Sequence, residues 1–163
     1  MKMYLGSKWV SRDETVAVTN PFNGEIIDRV PKSTVDDVET AVQTATRGAI
    51  AMKSLTAYDR YEILHRAAEL ISIRQEDFAQ TISLEEGKVI TEARIEANRS
   101  IQTITWSAEE AKRLRGETIP LDAAPGNRGK FGFTVRVPVG VVAAISPFNF
   151  PLNLVAHKVG PAL

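Results

Sequence analysis

Read from the N-terminus, apolar and polar positions first alternate and then settle into a helical step. "MYLG" and "KWVS" flank Gly6-Ser7, a pair suited to a tight turn, so the chain is predicted to open on a β-hairpin. "TVAVTN" alternates, Asn20-Pro21-Phe22-Asn23-Gly24 is dense in turn formers, and "EIIDRV" resumes an extended pattern, which predicts a second hairpin. Beyond Pro31 the period changes. Ser33 or Thr34 can cap a helix whose first turn carries Asp36 and Asp37 near the positive end of the dipole. Val35, Val38, Val42, Ala45 and Ala49 then form one apolar face at steps of three and four. A second helix is predicted from about Tyr58 to Arg74, with Ile63, Leu64, Ala67, Ala68 and Ile71 inward. A third holds Phe78 and Ile82 and ends at Gly87, which suits a left-handed C-cap.

The longest pattern runs Ile90, Ala93, Ala97, Ile101, Ile104, Ala108, Ala111, again only in steps of three and four, and closes near Leu114 before Gly116. It predicts a single helix of roughly 35–40 Å. Its stripe is rich in alanine, which suits close packing better than a leucine seam, so the helix is expected to lie across a sheet. From Glu117 the composition shifts, and "IPLDAAPGNRGKFGF" reads as a loop or hairpin tip. "FTVRVPVGVVAAIS" gives two extended runs broken at Pro138; the second, Val139 to Ile145, is apolar apart from Gly140, the pattern of a strand covered on both faces. Pro151 suits the first turn of a following helix, where its missing N–H costs nothing. The fold class is α/β. No internal repeat interrupts it.

Composition narrows the function. A chain of 163 residues, 44% apolar and 25% charged, is that of one soluble globular domain. Lysine plus arginine (20) balance aspartate plus glutamate (20), and the basic residues are scattered, so neither nucleic acid nor an acidic membrane surface is an expected partner. The segment "MKMYLGSKWVSRDE" has no signal-peptide core and no run of about 18 apolar residues occurs, so a cytosolic location is expected. There is no cysteine, hence no disulfide, no thiolate metal site and no thiol nucleophile. His65 and His157 stand far apart, and no metal centre is expected.

The candidate chemistry lies in Pro147-Phe148-Asn149-Phe150-Pro151, just past the carboxyl end of the predicted buried strand, where ligands bind in open α/β sheets. The Asn149 side chain can donate two hydrogen bonds without carrying a charge. Held in place by two prolines, it suits an oxyanion hole, stabilising negative charge on a carbonyl oxygen with no reorganisation during reaction. On the residues alone a second reading stands beside this: Asn149 as a plain N-cap of the helix that follows. Phe148 and Phe150 read as core, His157 as packing, and Lys158, about two and a half turns beyond Asn149, as a solvated surface residue.

The segment "VPVGVVAAISPFNFPLNLVAHKVGPAL" resembles the aldehyde dehydrogenase superfamily, whose members carry a Pro-(Trp/Phe)-Asn-Phe-Pro motif followed by Lys-x-x-Pro-Ala. The N-terminal hairpin, the Asn20-Pro21-Phe22-Asn23-Gly24-Glu25 turn and "LEEGKVITEA" fit the same family, so the resemblance covers essentially the whole chain. Phe148 and "PLNLVAHK" look more like the branch of lactaldehyde and non-phosphorylating glyceraldehyde-phosphate dehydrogenases; a phosphonoacetaldehyde or semialdehyde enzyme is similar. The resemblance implies that Asn149 donates its amide to the oxyanion of a thiohemiacetal, and that Ile145, Ser146, Pro147 and Phe148 line the cleft for NAD or NADP. It places Lys158 near this site. It divides the chain into an N-terminal helical part of the cofactor domain (1–116), an oligomerisation hairpin segment (117–137) and the first strand-turn-helix of the Rossmann-like cofactor site (138–163). A small aldehyde is the implied substrate and a homo-oligomer, dimer or tetramer, the implied assembly, with exposed strand edges covered by a neighbouring subunit.

The chain departs from the family in lacking the nucleophilic cysteine, and it has no residue matching the catalytic glutamate or the glycine-rich turn near the pyrophosphate. It therefore looks like the front third of such an enzyme and is expected to be inactive by itself. A non-catalytic module using the same fold for assembly or partner binding is the alternative.

Overall fold

The computed structural model describes all 163 residues, Met1–Leu163. Its β structure is three separate two-stranded antiparallel ribbons. β1 (Met3–Leu5) and β2 (Lys8–Val10) pair Met3 with Val10 and Leu5 with Lys8. Gly6 and Ser7 both have positive φ, 57° and 67°, which is what lets a two-residue turn follow the twist of its strands. β3 (Thr15–Thr19) pairs with β4 (Ile26–Pro31), with an irregularity at Val18/Thr19. Asn20 closes the turn between them. Its carbonyl accepts from the Gly24 N–H at 2.8 Å, its N–H donates to the Glu25 carbonyl at 2.8 Å, and its side-chain oxygen accepts from the Phe22 N–H at 2.9 Å.

Four helices follow in the predicted places. α1 (Val35–Ser54) is capped by Thr34, whose hydroxyl accepts from the Asp37 N–H at 3.2 Å while the Asp37 carboxylate accepts from the Thr34 N–H at 2.9 Å. Arg12, in the link between the first two ribbons, donates Nε to the same carboxylate at 3.1 Å. The face of α1 marked by its periodicity is not covered, however: Val35, Val38 and Val42 are exposed. α2 (Ala57–Ile73) repeats the reciprocal cap with Thr56 and Asp59. Leu64 and Ala68 are buried as the spacing requires, whereas Ile63 is exposed. α3 (Gln75–Glu86) ends at Gly87, in the left-handed region at φ 75°. α4 (Ile90–Ala111) is the long helix.

α4 was expected to lie across a sheet. Instead it is the axis of a helical body, with α2, α3 and a last helix, α5 (Asn153–Ala162), packed around it. The three ribbons never merge into a sheet that could receive it, and its alanines let helices approach closely. One patch joins Leu64 and Ala68 to Ile104, Ala108, Ala111 and Ala156; a second joins Ala79 and Ile82 to Ala93 and Ala97. No helix is long and apolar enough to cross a membrane.

After α4 the chain forms a third ribbon, β5 (Thr118–Ile119) with β6 (Gly132–Phe133), whose tip is the predicted glycine- and proline-rich loop. The run Val139 to Ile145 departs from expectation. It has no ladder partner within these residues, and Val139 and Ile145 are 89% and 82% exposed. Its apolar sequence asks for cover on both faces, and no strand of this chain pairs with it.

Candidate active site

α5 begins without a side-chain cap of its own, because Leu152 occupies the N-cap position. Its first amides would otherwise be orphaned donors. They are taken by Glu96, which reaches across from α4: one carboxylate oxygen, Oε1, accepts from the Leu152 N–H at 3.0 Å and the Asn153 N–H at 3.2 Å. A carboxylate in this position also meets the positive end of the helix dipole. Asn153 is fixed further by the Thr103 hydroxyl, 3.0 Å from its Oδ1. At the other end of α5, Gly160 sits so close to α4 that a Cβ there would stand 2.6 Å from Ser107 Oγ and 3.2 Å from Ile104 Cδ1.

The second oxygen of Glu96 meets Lys88, immediately after the Gly87 cap. Lys88 Nζ lies 2.6 Å from Glu96 Oε2, donates to the Asn149 backbone carbonyl at 3.0 Å, and stands 4.0 Å from the centre of the Phe150 ring. Glu86 Oε2 is also 3.2 Å away; it is buried and takes no hydrogen bond. The Lys88 side chain is 10% exposed and that of Glu96 not at all. Burial pushes the Lys88 ammonium down, but the hydrogen bond to Glu96 and the adjacent negative charges of Glu96 and Glu86 outweigh it and leave its pKa above the ordinary lysine value.

Asn149 is therefore held by its backbone, while its side chain is exposed and makes no hydrogen bond within the chain. The N-cap role that its residue type allows is filled by Glu96 instead. Ile145, Ser146, Pro147 and Phe148 lead directly into this point; Ile145 and Phe148 are largely exposed and Ser146 is half-buried. Phe148 is thus not core, whereas Phe150 is packed under the ammonium. Lys158 lies on α5, half-buried, and forms no ion pair or hydrogen bond, so it is not part of the cluster. His157 instead faces a groove of about 400 Å³ between α2, α4 and the end of α5, which Trp106 and Pro161 also line and Asn149 does not.

Sequence reasoning missed Lys88 and Glu96. One signal was available: Glu96 stands three residues after Ala93 and next to Ala97, on the inward stripe of α4, where an unpaired carboxylate would be costly. Its partners, eight residues before it and 56 and 57 residues after it, are not readable from spacing.

Residues 9–163 match the family model described as the aldehyde dehydrogenase family. Among curated proteins, the 3-sulfolactaldehyde dehydrogenase of Priestia megaterium is 46% identical over 99% of this chain and 33% of its own length. The lactaldehyde dehydrogenase of Methanococcus vannielii is 43% identical over the same shares. Among solved structures, an NADP-dependent glyceraldehyde-3-phosphate dehydrogenase from Bacillus halodurans complexed with NADP superimposes with a TM-score of 0.94 at 33% identity, covering 99% of this chain and 35% of that one. The chain thus spans about a third of the length of the relatives it matches.

Proposed function

Because the chain belongs to the aldehyde dehydrogenase family, we propose that it forms the front third of an NAD(P)-dependent dehydrogenase oxidising a small aldehyde to its carboxylate, and that Asn149 supplies an oxyanion-hole donor. The supporting observation is that the Asn149 amide has no partner in the chain while its backbone is fixed by Lys88. An uncharged donor left free at the turn into α5, on a backbone held by Lys88, can meet the negative charge that develops on an aldehyde oxygen when a thiolate adds to the carbonyl carbon. The chain has no cysteine, so that thiolate has to come from elsewhere in a complete enzyme, and the chain alone is inactive in this reading. Both curated relatives are named for lactaldehydes, which favours a small, polar aldehyde.

The strip Ile145–Phe148 fits a nicotinamide cofactor. Its apolar side chains are exposed and its backbone belongs to no ladder, so it can offer both ring contacts and hydrogen bonds to a bound molecule. The first amides of α5 are already engaged by Glu96, so a pyrophosphate would not sit at this helix start. When bound there, a nicotinamide would supply the hydride acceptor that oxidation of the aldehyde carbon needs. Lys158, on the same helix but outside the cluster, is a secondary candidate for the site. The segment 117–137 carries exposed Phe131, Phe133, Val135 and Val137 beside an open ribbon edge, which supports a hairpin covered by a neighbouring subunit.

Asn149→Ala in the complete enzyme tests this reading. Loss of one oxyanion donor should lower kcat by about 10²–10³ with cofactor affinity little changed. A variant with normal kcat and a large drop in melting temperature would show a purely structural asparagine.

A further inference from the structure

We propose that Lys88 and Glu96 are positioning residues for the Asn149 amide, forming a buried clamp that grips the chain on both sides of the residue that must stay aimed at the substrate oxygen. The inference rests on the reading of Asn149 as an oxyanion donor. On one side the ammonium holds the Asn149 carbonyl at 3.0 Å and lies 4.0 Å from the Phe150 ring centre. On the other, the carboxylate holds the Leu152 and Asn153 amides. The two halves are joined by the 2.6 Å contact between them.

The exit of α3 and the middle of α4, neighbours in sequence, meet the entrance of α5 from 56 to 61 residues away. Thr103 and the packing of Leu152 also hold the start of α5. Residues from Val139 to Ile145 have no ladder, however, and α5 has no side-chain cap of its own, so the Asn149 carbonyl and the first α5 amides depend on Lys88 and Glu96. A buried ion pair is weak ground for stability, because desolvation offsets its attraction and an apolar replacement often does as well. What an apolar pair would not supply is a donor to one backbone carbonyl and an acceptor for two backbone amides at fixed places. A catalytic group displaced by about 1 Å can lose about 100-fold in rate, so such fixing is worth having at this position.

The test is steady-state kinetics of the complete enzyme carrying this segment, with Asn149→Ala and Lys88→Met made singly and together. Asn149→Ala comes first: if it leaves kcat unchanged, the oxyanion reading fails and the clamp has nothing to position. If it lowers kcat as expected, Lys88→Met should lower kcat by about 10–100-fold, with both KM values within about twofold. In the Asn149→Ala background the same substitution should then cost almost nothing further, because Lys88 acts only through that amide. A folded Lys88→Met enzyme with normal kcat, or equal losses in the two backgrounds, would overturn the clamp and leave Asn149 in place. Glu96→Gln keeps a carbonyl acceptor for the two amides while removing the charge that orders Lys88; it is read by the same non-additivity if Lys88→Met does not fold.

Discussion

Two carboxylates in this chain are withdrawn from water, Asp37 at 4% exposure and Glu96 at 1%, and each secures the start of a helix against a cation. Asp37 serves its own helix, with Arg12 and Thr34; Glu96 serves another, with Lys88. The arrangement has a measurable consequence at Asp37. The Arg12 hydrogen bond, followed by the Thr34 N–H, lowers its pKa from 3.8 to about 2. A carboxylate whose folded pKa is depressed adds stability above its unfolded pKa, and that stability is lost as pH falls through the window from about 4 to about 2. Asp37→Asn should therefore melt below the parent at pH 7, and the gap should close progressively between those limits. Far-UV circular dichroism melts across pH would check this. A gap that stays constant down to pH 2 would mean that the Arg12 contact does not hold the charge.

At the scale of elements, Gly87 ties three features together: it ends α3, precedes Lys88 and lies against the β3–β4 turn. Its φ is 75°, and a Cβ there would stand 2.8 Å from Pro21 Cγ. Gly87→Ala thus meets two penalties of the same sign, about 1 kcal/mol for a left-handed non-glycine residue and about 1–3 kcal/mol for overpacking. Removing the ring by Pro21→Ala should abolish the second and leave the first, which a double-mutant cycle in urea would resolve; an unchanged penalty in that background would rule out the steric part. This element was legible in the sequence because its cause is local, as were Gly6-Ser7, the Asn20 turn and the Thr34 cap. What failed to show were relations carried by distant residues. Periodicity correctly marked the Val35–Val42 face as apolar, but it cannot say whether a partner for that face lies in the same chain. Likewise the alanine stripe of α4 announced close packing without saying that helices, and not a sheet, would fill it. The Pro147–Pro151 frame pointed to Asn149, yet the residue that grips its backbone comes from 61 positions away.

The whole molecule exposes 11784 Å², whereas a compact monomer of 17.9 kDa should expose only about 8,000 Å². Only 15 of 163 residues are buried, and the excess includes a specific set of apolar surfaces: the α1 face, the tip and edge around Phe131 and Phe133, and the run Val139 to Ile145. An excess of this size is comparable to an obligate interface, larger than the contiguous apolar patches that monomers usually carry. The backbone of Val139 to Ile145 adds to it, since unpaired donors and acceptors next to apolar side chains form a template for pairing with another chain. The α2–α3–α4–α5 body does not depend on that run, because its two apolar patches close among themselves. The isolated 163-residue chain should consequently be strongly helical and yet self-associate, eluting above its monomer mass on gel filtration. Amide exchange should be slow in α4 and fast across Val139 to Ile145 unless association protects that run. A compact monomer with strong protection from Val139 to Ile145 would mean that the run finds its cover inside these residues, and the unpaired segment described above would then be wrong.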